Sequence, residues 1–170
     1  DKDTLEEIRN VPSAIDERMI DKARHDLRDL QTITIDGDDA RDFDDAISIK
    51  KIPEGYRLWV HIADVSYYVR PGTALDKEAY RRGTSVYVTD RVVPMLPQVL
   101  SNGICSLNPH EDRFTITAQM DVGMDGAVRS AQIYPAIIRS DERMTYGNVN
   151  RIIAKDEQLV RRYAHLLLMI

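Results

Sequence analysis

The sequence predicts an α+β fold, with mostly antiparallel β-hairpins forming a mixed sheet flanked by helices. Segments with two-residue alternation recur at residues 31–35, 46–50, 56–63, 113–122 and 127–138. Turn signals such as Pro53-Glu-Gly55 and Met124-Asp-Gly126 separate consecutive segments of that kind. Helical periodicity is kept to stretches before, between and after them, which is the layout of an α+β chain.

Composition bounds what such a fold can do. At 170 residues the chain can bury its own core, and 43% hydrophobic with 30% charged residues is a globular balance. A net charge of −5 excludes a protein that coats polyanions through bulk positive charge, but not nucleic-acid binding around a local metal site. Cys105 is alone, so no disulfide closes within the chain and a reducing, cytoplasmic setting is expected. No apolar run approaches the ~20 residues of a membrane span and the amino terminus lacks signal-peptide character, so no membrane partner is expected. The chain lacks an initiator Met and stops inside the apolar pattern Leu166-Leu-Leu-Met-Ile170, which reads as a piece of a longer protein.

Residues 1–30 read as a helical lead-in. Ile15, Met19, Ala23 and Leu27 recur every four residues, which predicts an amphipathic helix over 14–27 with Ser13 as its N-cap and His25 on its solvated side. Gln31-Thr-Ile-Thr-Ile35 then alternates as a strand, and Ala46-Ile-Ser-Ile-Lys50 as a second. Between them runs Asp36-Gly-Asp-Asp-Ala-Arg-Asp42-Phe-Asp44-Asp45, six aspartates in ten residues with Arg41 as the sole compensating charge.

An extended chain sends successive side chains to opposite faces, so one strand cannot gather Asp36, Asp42, Asp44 and Asp45. A curled loop can, and Gly37 tolerates the backbone angles of such a curl. Carboxylates brought that close must protonate, splay apart or share a cation. With no His or Cys in the run, an all-oxygen site for Mg²⁺ or Mn²⁺ is the expectation. The bland alternative is a solvated acidic turn, although a mobile turn seldom sits so tightly between two apolar strands. Other motifs fit poorly. An EF-hand starting at Asp36 needs Gly and Glu where Arg41 and Ile47 stand, and a haloacid-dehalogenase aspartate would follow an apolar strand rather than Asp39-Ala-Arg41.

Tyr56-Arg-Leu-Trp-Val-His-Ile-Ala63 returns as a hairpin strand, with Tyr56, Leu58, Val60 and Ile62 on the expected apolar face. His61 falls on the other face and reads as structural. The hairpin would hold the end of the aspartate loop against a rigid sheet. Asp64 to Gly72 is a polar-aromatic connection, and Thr73 caps a short helix ending near Gly83. Thr84 to Val88 is β-like, with Tyr87 read from pattern alone as a strand tyrosine. Pro94 and Pro97 break the next run, Val99 to Gly103 makes a helical turn, and Ser106 to Pro109 is a loop that leaves His110 exposed. Residues 113–122 and 127–138 form a long hairpin, with Pro135 marking an edge or bulge. Helical patterns follow near Tyr146–Ala154 and from Glu157 to the end.

These residues carry a resemblance. The aspartate loop, His61-Ile-Ala-Asp-Val-Ser-Tyr-Tyr-Val, Arg82-Gly-Thr-Ser-Val-Tyr87, Val93-Pro-Met-Leu-Pro97 and Leu100-Ser-Asn-Gly-Ile-Cys-Ser-Leu-Asn-Pro109, in this order, resemble the ribonuclease II/ribonuclease R family, closest to its bacterial ribonuclease R branch. The resemblance implies that residues 31–170 are the amino-terminal part of an RNB catalytic domain, truncated at its carboxy-terminal end. It implies a Mg²⁺-dependent enzyme that degrades single-stranded RNA processively from the 3′ end, by two-metal-ion hydrolysis, to nucleoside 5′-monophosphates. Asp36, Asp42 and Asp45 then match metal ligands, and Asp44 the carboxylate that also holds the second metal or the attacking water. Tyr87 matches the tyrosine that stacks on the terminal RNA base. A further arginine, glutamate and stacking aromatic are implied beyond Ile170, with cold-shock-type and S1 domains elsewhere in the chain, so this piece alone is expected to be inactive. Two alternatives remain open: a catalytically inactive RNA-binding relative, and a metal-dependent phosphodiesterase acting on DNA.

Overall fold

The computed structural model describes residues 2–89 and 91–170. Helix α1 (Lys2–Arg9) leads into β1 (His25–Asp26), β2 (Ile33–Asp36), β3 (Asp45–Ile52) and β4 (Gly55–Ala63). Helices α2 (Val65–Tyr68) and α3 (Ala74–Arg82) and a two-stranded ribbon of β5 (Val86–Val88) and β6 (Arg91–Val93) follow. A π-helical turn, Val99–Ile104, precedes the long strands β7 (Asp112–Gly123) and β8 (Val128–Arg139). The chain closes with β9 (Glu142–Thr145), α4 (Tyr146–Ile153), α5 (Glu157–Arg162) and a 3₁₀ segment, Ala164–Met169.

The main sheet has seven strands in the order β1-β8-β7-β4-β3-β2-β9. Its centre is the antiparallel series β3-β4-β7-β8, whose hairpins match the alternation and turn chemistry of the sequence. Gly55 closes the first turn at φ +151, where a Cβ would run into the Val122 carbonyl. The edge strands β1 and β9 pair in parallel with β8 and β2, so the sheet is mixed. Pro135 lies opposite Ile116, beside the point where β1 begins to cover β8 at Ala136 and Ile137. Its missing N–H thus faces an open edge, while the register shift falls elsewhere, between Asp121 and Val122.

Two cores flank this sheet. On one side Phe43, Ala46, Ala63, Leu75, Leu100 and Ile138 pack together. On the other, α4, α5 and the 3₁₀ segment lay Ile152, Tyr163 and Leu166 over Ile33 and Met144. Helix α3 starts at the Thr73 cap, whose hydroxyl accepts from Asp76 N–H at 3.3 Å, and stops at Gly83 with φ +77, as the sequence indicates.

Three expectations are corrected. The helix over 14–27 is absent; only Glu17–Met19 turns, as a 3₁₀ segment capped by Asp16 rather than Ser13. Asp21 and Asp26 accept from the N–H groups of Ala23 and Arg28, turn bonds that compete with a helix. Arg24 is drawn inward to Asp64 at 2.5 Å, and His25–Asp26 joins the sheet instead. Helix α1 lies upstream of that stretch, within the 1–30 lead-in read as helical. On β4 the apolar row is the more open one: Ile62 is 47% exposed, whereas Trp59, His61 and Ala63 are buried. Finally, the last helix ends at Arg162 and the chain tightens into the 3₁₀ segment that buries Leu166.

Candidate active site

The acidic loop leaves β2 at Asp36 and enters β3 at Asp45. Phe43 fixes how it lies. Its ring is buried, its N–H donates to Ser106 Oγ at 3.0 Å, and its carbonyl accepts from Leu107 N–H at 2.9 Å. Ser106 Oγ also donates to the Arg41 carbonyl at 3.2 Å, and the Asp44 carbonyl accepts from Ala63 N–H at 2.9 Å. With Phe43 turned into the core, Asp42 and Asp44 are sent to the opposite side. There they line a cleft of about 360 Å³ with Ile62, Ala63, Val65 and Ser85, together with Tyr87, Met95, Leu96, Ser101 and Cys105. Tyr87, at the centre of β5 opposite Val92, is 70% exposed and forms the far wall. Two stretches far apart in sequence, the acidic loop and the β5–β6 ribbon, therefore meet across one cleft.

Electrostatics links the remaining aspartates to this cleft. Partial burial, then the charge of Asp45, push the Asp36 carboxyl above its ordinary value; Arg143 opposes the rise, and Asp42 and Asp44 add to it. The Asp44 carboxyl is raised first by partial burial and then by Asp42 and Asp45. Asp36, Asp42, Asp44 and Asp45 thus share one negative field, although Asp36 and Asp45 do not line the cleft. Among the described residues no three His, Cys, Asp or Glu side chains converge tightly enough to form a ready-made metal cage. In donor type and charge the four carboxylates suit Mg²⁺ or Mn²⁺. Mg²⁺ commonly keeps several waters and completes its shell with substrate phosphates, so a loose carboxylate set is chemically consistent with it.

Two neighbours take no part in such chemistry. Burial pushes the Cys105 thiol up to about 12, which keeps it protonated and unreactive. His61 is fully buried between Ser48 and Thr117 and lies away from the cleft, as its structural reading expects. Sequence reasoning missed Ser106, which bonds to the loop at Arg41 and Phe43, Arg143, whose Nη2 donates to the Gly37 and Asp38 carbonyls, and the apolar wall of Ile62, Val65 and Leu96. No spacing rule marks them, because their role depends on contacts across the sheet.

The RNB domain family matches residues 24–169, and the chain belongs to that family. Within it, the chain is similar to ribonuclease R. It is 52% identical to Ribonuclease R 1 of Lactococcus lactis over 166 residues, 97% of this chain and 20% of that protein. It is 54% identical to Ribonuclease R of Escherichia coli over 145 residues, 85% of this chain and 18% of that one. The fold matches that of Mycoplasma genitalium RNase R in complex with ribose methylated single-stranded RNA, with a TM-score of 0.87 and 34% identity, over 92% of this chain and 24% of that one. The chain spans about a fifth of the length of the curated relatives it matches.

Proposed function

We propose that the protein carrying this chain is a cytoplasmic, processive 3′→5′ exoribonuclease that hydrolyses single-stranded RNA to nucleoside 5′-monophosphates. Residues 31–170 form the amino-terminal part of its catalytic domain, and cold-shock-type and S1 domains elsewhere in the protein grip the RNA. The observation that carries this reading is the shared cleft of Asp42, Asp44 and Tyr87, in a chain of the RNB family.

Each residue type fits its part. Tyr87 offers an exposed ring on which the terminal base stacks, a contact that accepts any base because every base has a π-face. Ile62, Ala63, Val65 and Leu96 wall the same space with apolar surface and thin the water around the scissile phosphate. Asp36, Asp42, Asp44 and Asp45 would hold Mg²⁺ (or Mn²⁺), with Asp44 also placed to orient the attacking water. Divalent cations bound there would supply an activated water and charge stabilisation for the leaving 3′-oxygen. The carboxylates mainly fix geometry, and their mutual repulsion is what a divalent cation relieves.

The test is incubation of the full-length protein with matched RNA and DNA strands, labelled at either end, with Mg²⁺. Stepwise release of nucleoside 5′-monophosphates from the RNA 3′ end is expected. Preferential cleavage of DNA, or binding of RNA with no cleavage, would overturn the proposal.

A further inference from the structure

We propose that Arg143 is a positioning residue for hydrolysis, its guanidinium clamping the acidic loop from the neighbouring strand. The proposal rests on the reading of this loop as the hydrolytic site. Arg143 lies on β9, opposite Thr34 of β2, and Nη2 donates to the Gly37 carbonyl at 2.9 Å and the Asp38 carbonyl at 2.6 Å. The same guanidinium lies 5.2 Å from the ring centroid of Phe43. One side chain therefore touches the loop near its beginning and near its end. Phe43 is flanked directly by Asp42 and Asp44, so the position of its ring sets where both carboxylates project.

The choice of partners argues for this role. Arg143 stands among six aspartates, yet among the described residues it forms no ion pair with any of them. Its Nε–H is buried without a hydrogen-bond partner. A guanidinium placed simply to neutralise the loop would pair with a carboxylate, where its fork geometry is strongest. Bonding to carbonyls instead shapes the backbone and leaves the carboxylate oxygens unoccupied. Lysine would keep the charge but lose the planar fork and the flat face that lies over Phe43.

In the full-length protein, Arg143→Met and Arg143→Lys should be compared with wild type and with Arg139→Met, which removes a guanidinium bound to Asp112 away from the loop. Two readouts are needed: hydrogen exchange of residues 37–44 without added metal, and single-turnover cleavage with RNA affinity measured beside it. For Arg143→Met we expect faster exchange confined to the loop, cleavage slowed by about 10²-fold as for a misplaced catalytic group, and RNA affinity kept. Arg143→Lys should fall between, and Arg139→Met should match wild type. Unchanged loop exchange in Arg143→Met, or faster exchange spread evenly through β4 and β7, would overturn the clamp. Should the Met variant not fold, wild-type exchange and cleavage in Arg143→Lys would overturn it equally. A wild-type protein that leaves RNA intact would refute the hydrolytic reading itself, and the exchange arm would still decide whether the clamp exists.

Discussion

With Ser48 Oγ 3.0 Å from its Nε2 and Thr117 Oγ1 2.9 Å from its Nδ1, His61 sits in a chain of buried hydrogen bonds. The chain continues from Ser48 to Thr32 at 2.7 Å and from Thr117 to Thr115 at 2.9 Å, crossing β3, β4 and β7. A neutral imidazole donates at one nitrogen and accepts at the other, so hydroxyls on both sides suit the uncharged ring. Burial accordingly lowers the His61 pKa from 6.5 to about 4. The unfolded chain takes up this proton near pH 6.5 and the folded one only near 4. Stability is therefore full above pH 6.5, falls as the pH drops between those values, and loses no more below the lower one, a total of roughly 3 kcal/mol. Denaturant unfolding at pH 7 and pH 5 should show the loss in wild type and a flatter profile in His61→Gln. Equal pH slopes would remove His61 as the cause.

Elements were legible where local chemistry and packing agree. The β3–β4 and β7–β8 hairpins, the Thr73-capped helix and the acidic loop between two strands all follow from alternation, turn residues and caps. The helix expected over 14–27 does not form because turn bonds to Asp21 and Asp26 compete with it, sheet pairing takes His25–Asp26, and a long-range contact draws Arg24 inward. Arg24 and Asp64 form an ion pair with side chains 7% and 5% exposed, and Arg24 also lies over the Phe114 ring at 4.1 Å. No local pattern could reveal a partner forty residues away. The faces of β4 misled for a related reason: its polar row, Trp59 and His61, finds hydrogen-bond partners on β3 and β7 and can be buried. The motif points to Asp42, Asp44 and Tyr87, which the fold brings to one cleft, whereas the contacts of Ser106 and Arg143 with the loop carry no sequence signal. Asp64→Ala should leave Arg24 buried without its partner and cost about 3–5 kcal/mol, measured by denaturant unfolding. A loss within about 0.5 kcal/mol, as at a surface site, would mean that the pair adds little to tying the lead-in to the sheet.

At the scale of the whole molecule, the sheet separates two jobs. Its α4–α5 side is packed near β2 and β9 but open over Leu58, Val60 and Ile62 of β4, Ile116 of β7 and Ile133 of β8, where Ile133 is 75% exposed. The cleft is assembled at the ends of β3 and β4, where a loop pinned by Ser106 and Arg143 faces a ribbon carrying Tyr87. Carboxylates sit on one wall and the exposed Tyr87 ring on the other, so the proposed chemistry and grip should be separable by mutation. Asp44→Asn keeps the shape of the side chain and removes one negative charge from a crowded acidic site. Affinity for RNA should hold or rise, since repulsion of the phosphate falls, while turnover should collapse. Tyr87→Ala should instead weaken terminal-nucleotide binding by about 1–3 kcal/mol, the value of one base–aromatic stack. Single-turnover cleavage and RNA binding of both full-length variants, measured under one salt condition beside wild type, tests this division most directly. The Asp44→Asn protein is expected to bind RNA without cutting it; near-normal cleavage by that variant would contradict the role assigned to Asp44.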